Sequence, residues 1–306
     1  MLKNKIIVIG IFVVDLSFKS TKLPKPGETV IGDHYNIGPG GKGSNQCVSI
    51  ARAGGDVSLI ARIGDDEFGK MGLDLYEKEN VGTEGLVITK DEKTGSATIS
   101  IDGNGMNSII VVPGAASGLT KEMVNQKSYL FRESSMLLTG FEIPLDVTIY
   151  SLKIAKSNNL KTILNPAPYF NLNHEIYKTV DYLTPNEHEA SALTKIDIKT
   201  IDDARFAGKK ICELGVSTSI ITMGEKGVLC TRDSSDNEGL YFPSIKLKDP
   251  VIDTVGAGDV FNGAFATAIS EGINLEEALL FANNAASISV TKIGAALSSP
   301  YRDQIK

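Results

Sequence analysis

The chain has 306 residues, 42% hydrophobic and 22% charged, with 30 Gly and 11 Pro, proportions that exclude a disordered, collagenous or coiled-coil protein. A formal charge of −6 argues against a nucleic-acid partner, which would draw on clustered Lys and Arg. Three Cys (Cys47, Cys212, Cys230) and three His (His34, His174, His188), in no paired-ligand spacing, leave a zinc site, a disulfide framework and a Cys-His nucleophile poorly supplied.

Lys3 and Lys5 before the apolar residues 6–14 have the outline of a signal peptide, but Asp15 closes the run and no Ala precedes Ala51 to form a cleavage site. No stretch approaches the roughly 18 apolar residues of a membrane span. A cytoplasmic protein with reduced thiols is the expectation, and no membrane partner.

In chain order, residues 6–14 read as a buried strand, and residues 18–35 as extended because Pro24, Pro26 and Gly27 forbid a long helix. A helix is predicted over 43–53, a strand over 57–63 and a helix over 66–80. Residues 96–101 and 108–112 flank Asp102-Gly103-Asn104-Gly105, a strong hairpin signal. Then come strands 136–139, 161–164, 182–184 and 219–223, with helices 145–157, 201–214, 258–271 and 275–291. This alternation predicts an α/β protein with a mainly parallel sheet covered on both faces. The two antiparallel regions would be appended to it, and a small sheet of that kind must cover a ligand, pack on another subunit, or do both.

Several segments could carry chemistry. Gly38-Pro39-Gly40-Gly41-Lys42-Gly43-Ser44-Asn45 contains G-x-G-x-x-G, but it does not directly follow the first strand, so neither a dinucleotide fingerprint nor a P-loop fits. It is either a glycine-rich turn with a solvated Lys42 or a close-approach site with Lys42 and Asn45 as donors. Asp253-Thr254-Val255-Gly256-Ala257-Gly258-Asp259 runs into a helix. Asp259 there can be a cap, yet three consecutive small residues baring amides at a helix start, followed by a carboxylate, are the parts phosphoryl transfer requires. Asn186-Glu187-His188-Glu189 follows a strand; the capping box of Asn186 and Glu189 is the better local reading, a ligand edge the other. Thr222-Met223-Gly224-Glu225-Lys226-Gly227 is a hairpin turn or a surface for a nucleotide. Asp15, after the first apolar run, is a solvated charge or a group at a sheet carboxyl end.

In this order, Asp15, Gly40-Gly41-Lys42-Gly43 with Asn45, Asn165-Pro166-Ala167-Pro168, Thr184-Pro185-Asn186-Glu187 with Glu189, Thr222-Met223-Gly224, and Asp253-Thr254 with Gly256-Ala257-Gly258-Asp259 and Phe261-Asn262-Gly263 resemble the ribokinase, or PfkB carbohydrate kinase, family. The likeness covers about residues 6–300. It is strongest to the ribose-specific branch, through Pro26-Gly27-Glu28-Thr29, Leu164-Asn165-Pro166-Ala167-Pro168 and Ser289-Val290-Thr291.

The resemblance implies a single doubly wound three-layer α/β/α domain over 1–306, with a small antiparallel β lid formed by about 12–38 and 95–113 that clasps a second subunit in a homodimer. It implies ATP-dependent phosphorylation of the 5-hydroxyl of D-ribose. The alternatives are 2-deoxyribose, another sugar or a nucleoside as substrate, or a non-catalytic sugar sensor on the same fold. It assigns Asp259 as the base, and the amides of Gly256, Ala257 and Gly258 as holders of the transferred phosphoryl group. Sugar contacts fall on Asp15, Gly41, Lys42, Gly43, Asn45, Glu142 and Asp259; nucleotide contacts fall on Asn186, Thr222, Gly224, Gly227, Gly258 and Asn283. Glu189 would organise Mg²⁺ through water, and Asp253, Val255, Ser289, Lys292, Gly294 and Ser298 would surround K⁺. One position departs: where the family carries a sugar-binding Asn two residues before Asp15, this chain has Val13, which makes 2-deoxyribose the physically motivated competitor of ribose.

Overall fold

The computed structural model describes residues 4–247 and 249–305, so Lys3, half of the basic pair before the apolar run, lies outside the described residues. The strands in chain order are β1 (Ile6–Ile9), β2 (Val13–Lys19), β3 (His34–Gly40), β4 (Val57–Ile60), β5 (Arg62–Gly64), β6 (Val87–Thr89), β7 (Thr94–Ile101), β8 (Asn107–Gly114), β9 (Met136–Thr139), β10 (Lys161–Leu164), β11 (Tyr182–Leu183), β12 (Thr218–Thr222), β13 (Val228–Thr231) and β14 (Leu240–Phe242). The helices are α1 (Lys42–Arg52), α2 (Glu67–Glu79), α3 (Lys121–Gln126), α4 (Ser128–Glu133), α5 (Leu145–Ser157), α6 (Glu187–Thr194), α7 (Ile201–Glu213), α8 (Ala257–Ser270) and α9 (Leu275–Ser289).

Eight strands form the main sheet in the order β14-β13-β12-β11-β10-β9-β1-β4, parallel from β4 to β12 and antiparallel over the last two pairings. Alternation along β1 explains the three layers. Ile6 and Val8 enter one core with side chains of α1, α2, α8 and α9, whereas Ile7 and Ile9 enter another with α3, α4, α5, α6 and α7. Because β1 leads to β4 on one side and β9 to β10 on the other, strand order reverses between β1 and β9. The carboxyl ends of that pair are where such sheets open a ligand crevice.

Four further strands form a second sheet, β3-β2-β7-β8, in which β2 runs parallel to β7 and the outer pairs are antiparallel. The hairpin expected around Asp102 to Gly105 is β7–β8, with Asp102 Oδ1 accepting from the Asn104 and Met106 amides at 2.9 Å.

Three expectations need correction. The apolar run 6–14 is not one strand: β1 ends at Ile9 and β2 starts at Val13 in the other sheet, and the turn between is itself buried, so hydrophobicity carries no sign of the change in direction. Residues 57–63 likewise split into β4 and β5, which pairs with β6 alone. Asp15 therefore does not close a strand of the main sheet; it lies inside β2, opposite Gly38 and Ala97.

Candidate active site

The N-terminus of α1 is pressed onto the turn after β1. A Cβ on Gly43 would stand 2.7 Å from the Gly10 Cα, and Gly41, at φ 87°, would place one 2.7 Å from the Ile11 carbonyl oxygen. Only glycine permits that approach. The Ser44 amide then donates to the Ile11 carbonyl at 3.1 Å, and the Lys42 amide, free at the helix start, donates to Glu142 Oε2 at 2.8 Å. Glu142 follows β9, so this bond spans the crevice mouth. Gly40 has the same close-packed role toward Asp15, whose carboxylate lies 2.4 Å from where a Cβ would be.

The second wall is the start of α8. Gly256 is its N-cap at φ 79°, with no side-chain cap bond, and Gly258 is exposed with open space in front of it. Asp259 does not cap the helix. It is 4% exposed, and its two oxygens are taken by α1: Asn45 Nδ2 donates to Oδ2 at 2.9 Å and Gln46 Nε2 to Oδ1 at 3.1 Å. The two helices can lie this close because a Cβ on Gly263 would fall 2.5 Å from the Ser49 Cβ; Ser49 Oγ in turn donates to the Val260 carbonyl at 2.9 Å. Behind the glycines, Asn165 Nδ2 donates to the Thr184 carbonyl (3.0 Å), Thr184 Oγ1 to Asn262 Oδ1 (2.6 Å) and Asn262 Nδ2 to the Gly258 carbonyl (2.8 Å). That chain fixes the exposed Gly258 peptide, while the Ala257 amide before it donates to the Thr254 carbonyl at 3.3 Å.

Electrostatics converge on the same place. Burial pushes the Asp259 carboxyl up, against the opposing pull of Lys42, Asn45 and Gln46. Asp15 is pushed up to about 6 by burial and by the Asp259 charge, and Glu142 to about 7, chiefly by burial. The charges of Asp259, Glu142 and Glu189 hold the Lys42 ammonium above its usual range. A cluster of carboxylates around one lysine, with the exposed Gly258 alongside, is suited to hold hydroxyl groups and deprotonate one of them.

The positions read for a nucleotide divide. Asn186 bridges to Thr222 across the ends of β11 and β12, and both lie at the open carboxyl edge with Gly224. Gly227 is buried instead, because a Cβ there would meet the Phe242 carbonyl oxygen at 2.1 Å. Asn283 Nδ2 is bonded to the Pro243 carbonyl at 2.9 Å. Those two grip the segment after β14. Asn186 and Glu189 form the capping box of α6, with Glu189 Oε2 and Oε1 accepting from the Asn186 amide and side chain at 2.9 and 3.0 Å.

Of the cation set, Asp253 accepts from the Val255 and Gly294 amides at 3.0 Å each, which joins the 253–255 and 290–294 loops. Ser289 and Ser298 spend their hydroxyls locally, on the Ala286 and Ala295 carbonyls. Lys292 donates its amide to the Ser289 carbonyl at 3.0 Å. Among the described residues no Lys or Arg pairs with Asp253, so its charge is met by the two backbone amides without a basic partner, at the place where a cation is expected.

Gln46, Thr184 and Asn262 are side chains that motif reading left without a role and that hydrogen bonds tie to the candidate site. The signal for Gln46 is its place beside Asn45, one step further around the same helix start.

A model of the pfkB family carbohydrate kinases matches residues 3–302, and the chain belongs to that family. A Bacillus subtilis ribokinase is 38% identical over 303 residues, covering 99% of this chain and 98% of its own. A Salmonella typhi deoxyribokinase is 31% identical over 301 residues, covering 98% and 96%. The structure of an Arabidopsis thaliana ribokinase complexed with ribose and ATP superposes with a TM-score of 0.91 at 31% identity, covering 98% of this chain and 96% of that one.

Proposed function

We propose that the chain is an ATP-dependent ribose kinase that transfers the γ-phosphoryl group to the sugar 5-hydroxyl. The observation that carries this reading is the buried Asp259 carboxylate at the start of α8, oriented by Asn45 and Gln46 beside the exposed Gly258. Asp259 accepts the hydroxyl proton as the oxygen attacks; in a loose transition state positioning dominates. The amides of Gly256, Ala257 and Gly258 hold the charge on the transferred group. Asp15, Lys42, Asn45 and Glu142, with the backbone of Gly41 and Gly43, hold the sugar, and the β3-β2-β7-β8 sheet serves as its lid.

ATP lies along Asn186, Thr222, Gly224 and Gly258, and Glu189 would organise the Mg²⁺ that comes with it, which would supply positive charge to the phosphates. Burial pushes the Glu189 carboxyl up, against the pull of the Asn186 amide and the Lys42 charge. K⁺ would sit between the 253–255 and 289–298 loops and support the amides from behind. The exposed apolar side chains of the second sheet, among them Phe18, Tyr35, Ile109 and Ile110, suit pairing with the lid of a second copy. Three unpaired, buried thiols fit the cytoplasm.

One observation favours a second substrate. Val13 is 3% exposed, at the start of β2 on the side of Asp15, and offers no hydrogen bond there. 2-Deoxyribose loses less to that wall than ribose. Comparing kcat/KM for ribose, 2-deoxyribose, fructose and adenosine decides between them, and absence of phosphorylation of any sugar despite sugar binding would restore the sensor reading.

A further inference from the structure

Arg52 closes α1 at the end remote from Lys42, Asn45 and Gln46, and its side chain is only 8% exposed. It pairs in a two-bond fork with Glu79 of α2, Nε to Oε2 at 2.8 Å and Nη2 to Oε1 at 2.7 Å. Its remaining arm leaves the helices: Nη1 donates to two backbone carbonyls, those of Leu297 and Ser299, at 2.9 Å each. The Tyr301 ring covers the guanidinium at 4.8 Å, and the Tyr301 hydroxyl reaches Glu79 at 3.4 Å.

That arrangement ties down a chain segment that has little regular structure of its own, the short turn Ala296–Ser298 and its flanks. The segment has one consequential neighbour. Ala295 lies against Gly256, so that a Cβ on Gly256 would be 2.6 Å from the Ala295 Cα. One residue earlier, the Gly294 amide donates to Asp253. The turn is thus the back wall of the peptide that begins α8; Ala296 packs it into the core, and Arg52 ties its far side to α1.

We propose that Arg52 is a positioning residue for phosphoryl transfer, acting through the 295–299 turn to fix Gly256 and the amides that follow it. This rests on the reading of those amides given above. A single helix then registers both halves of the site, its first turn through Asp259 and its last residue through the glycine peptide. Lysine cannot replace the guanidinium, because one ammonium lacks the planar fork that answers a carboxylate and two carbonyls together.

The test uses Arg52→Lys and, as a variant that keeps the fork, Tyr301→Leu, each compared with the wild type by hydrogen exchange and steady-state kinetics. In Arg52→Lys the Ala257 and Val260 amides, bonded to the Thr254 and Gly256 carbonyls, are expected to exchange roughly tenfold faster. The Ser44 and Asn45 amides at the other end of α1 are expected to stay within twofold of wild type, roughly the scatter of such measurements. kcat should fall on the order of ten- to a hundredfold while sugar KM moves less than about threefold; Tyr301→Leu should give the same pattern, smaller. Unchanged exchange at Ala257 and Val260 in both variants overturns the proposal, and so does equal acceleration at both ends of α1 or a joint rise in sugar KM. A wild type that phosphorylates no sugar would remove the kinase reading, and the exchange measurement would still decide the role of Arg52.

Discussion

Asn45 and Asp259 stand 214 residues apart in the chain and are joined by a 2.9 Å hydrogen bond from the amide nitrogen to the carboxylate. With Gln46 on the other oxygen, the carboxylate is held by two donors and is free to accept only along its remaining lone pairs. Asp259→Asn would oppose an amide group to those donors and remove the base. kcat is expected to fall by a factor on the order of 10² to 10⁴, with sugar affinity, measured by calorimetry, within a few-fold of wild type. Substantial residual turnover would sink the base assignment.

The acid side of the pH profile follows from Asp15, pushed up to about 6, and Glu142, to about 7. Ionisation lets both oxygens of each carboxylate accept and strengthens those bonds to hydroxyl groups, so kcat/KM for the sugar should climb between about pH 5.5 and 7.5 and level off above.

Stability runs the other way. The Glu142 carboxyl is pushed up in the folded state from its ordinary 4.5, so its favourable contribution is complete below that value and is lost as pH rises toward about 7. The loss amounts to about 3 kcal/mol. Glu142→Gln should therefore raise Tm of the ligand-free protein at pH 8 and leave it nearly unchanged at pH 4.5, while sugar affinity falls. A Tm gain independent of pH would show that ionisation is not the cause.

Gly256→Ala combines a positive φ of 79° with a contact 2.6 Å from the Ala295 Cα. Destabilisation of about 1–3 kcal/mol is expected by denaturant titration, with kcat reduced on the order of 10² to 10³ as the amides turn away. Gly258→Ala meets nothing within 4 Å in the protein, so it should fold as wild type and lose activity only through the nucleotide.

Val13→Asn should raise the ratio of kcat/KM for ribose over that for 2-deoxyribose by roughly tenfold, the worth of one hydrogen bond to the extra hydroxyl. Without sugar the buried amide costs about 1–3 kcal/mol, visible as a lower Tm that ribose restores. A ratio that does not move would place Val13 away from the sugar.

Ile110 on β8 is 68% exposed. If the second sheet pairs with another copy, Ile110→Lys should halve the mass measured by light scattering; an unchanged mass would place the dimer contact elsewhere, and a monomeric wild type would dispose of it.

Much of the scaffold was legible because long amphipathic helices and all-buried strands leave a clear period: α1, α2, α5, α7, α8 and α9 each lie within two residues of their expected bounds. What escaped is short or depends on direction. α3 and α4 span six residues each, too few for a helical stripe, and β13 and β14 are a brief antiparallel return at the sheet edge. At the site, Gly40, Gly41, Gly43 and Gly256 were readable because close approach needs them. Asp259 was ambiguous, since an acid three residues after a helix cap is ordinary; only the distant pair Asn45 and Gln46 shows that the carboxylate is held for another purpose. The capping box of Asn186 and Glu189 was fully written in local sequence.

The parallel pairing of β2 with β7, from Val13 opposite Gly95 to Lys19 opposite Ile101, joins two segments that emerge from the chain more than a helix–strand unit apart. β3, α1, β4, β5, α2 and β6 all lie between them. The small sheet thus cannot nucleate by itself: its central ladder closes only after the intervening chain has docked, and loop closure of that span is slow. It should be the last part of the molecule to assemble and the first to come apart under protease or mild denaturant, and a kinase caught before that step would have its base, Lys42 and Glu142 in place but neither Asp15 nor the cover over the sugar.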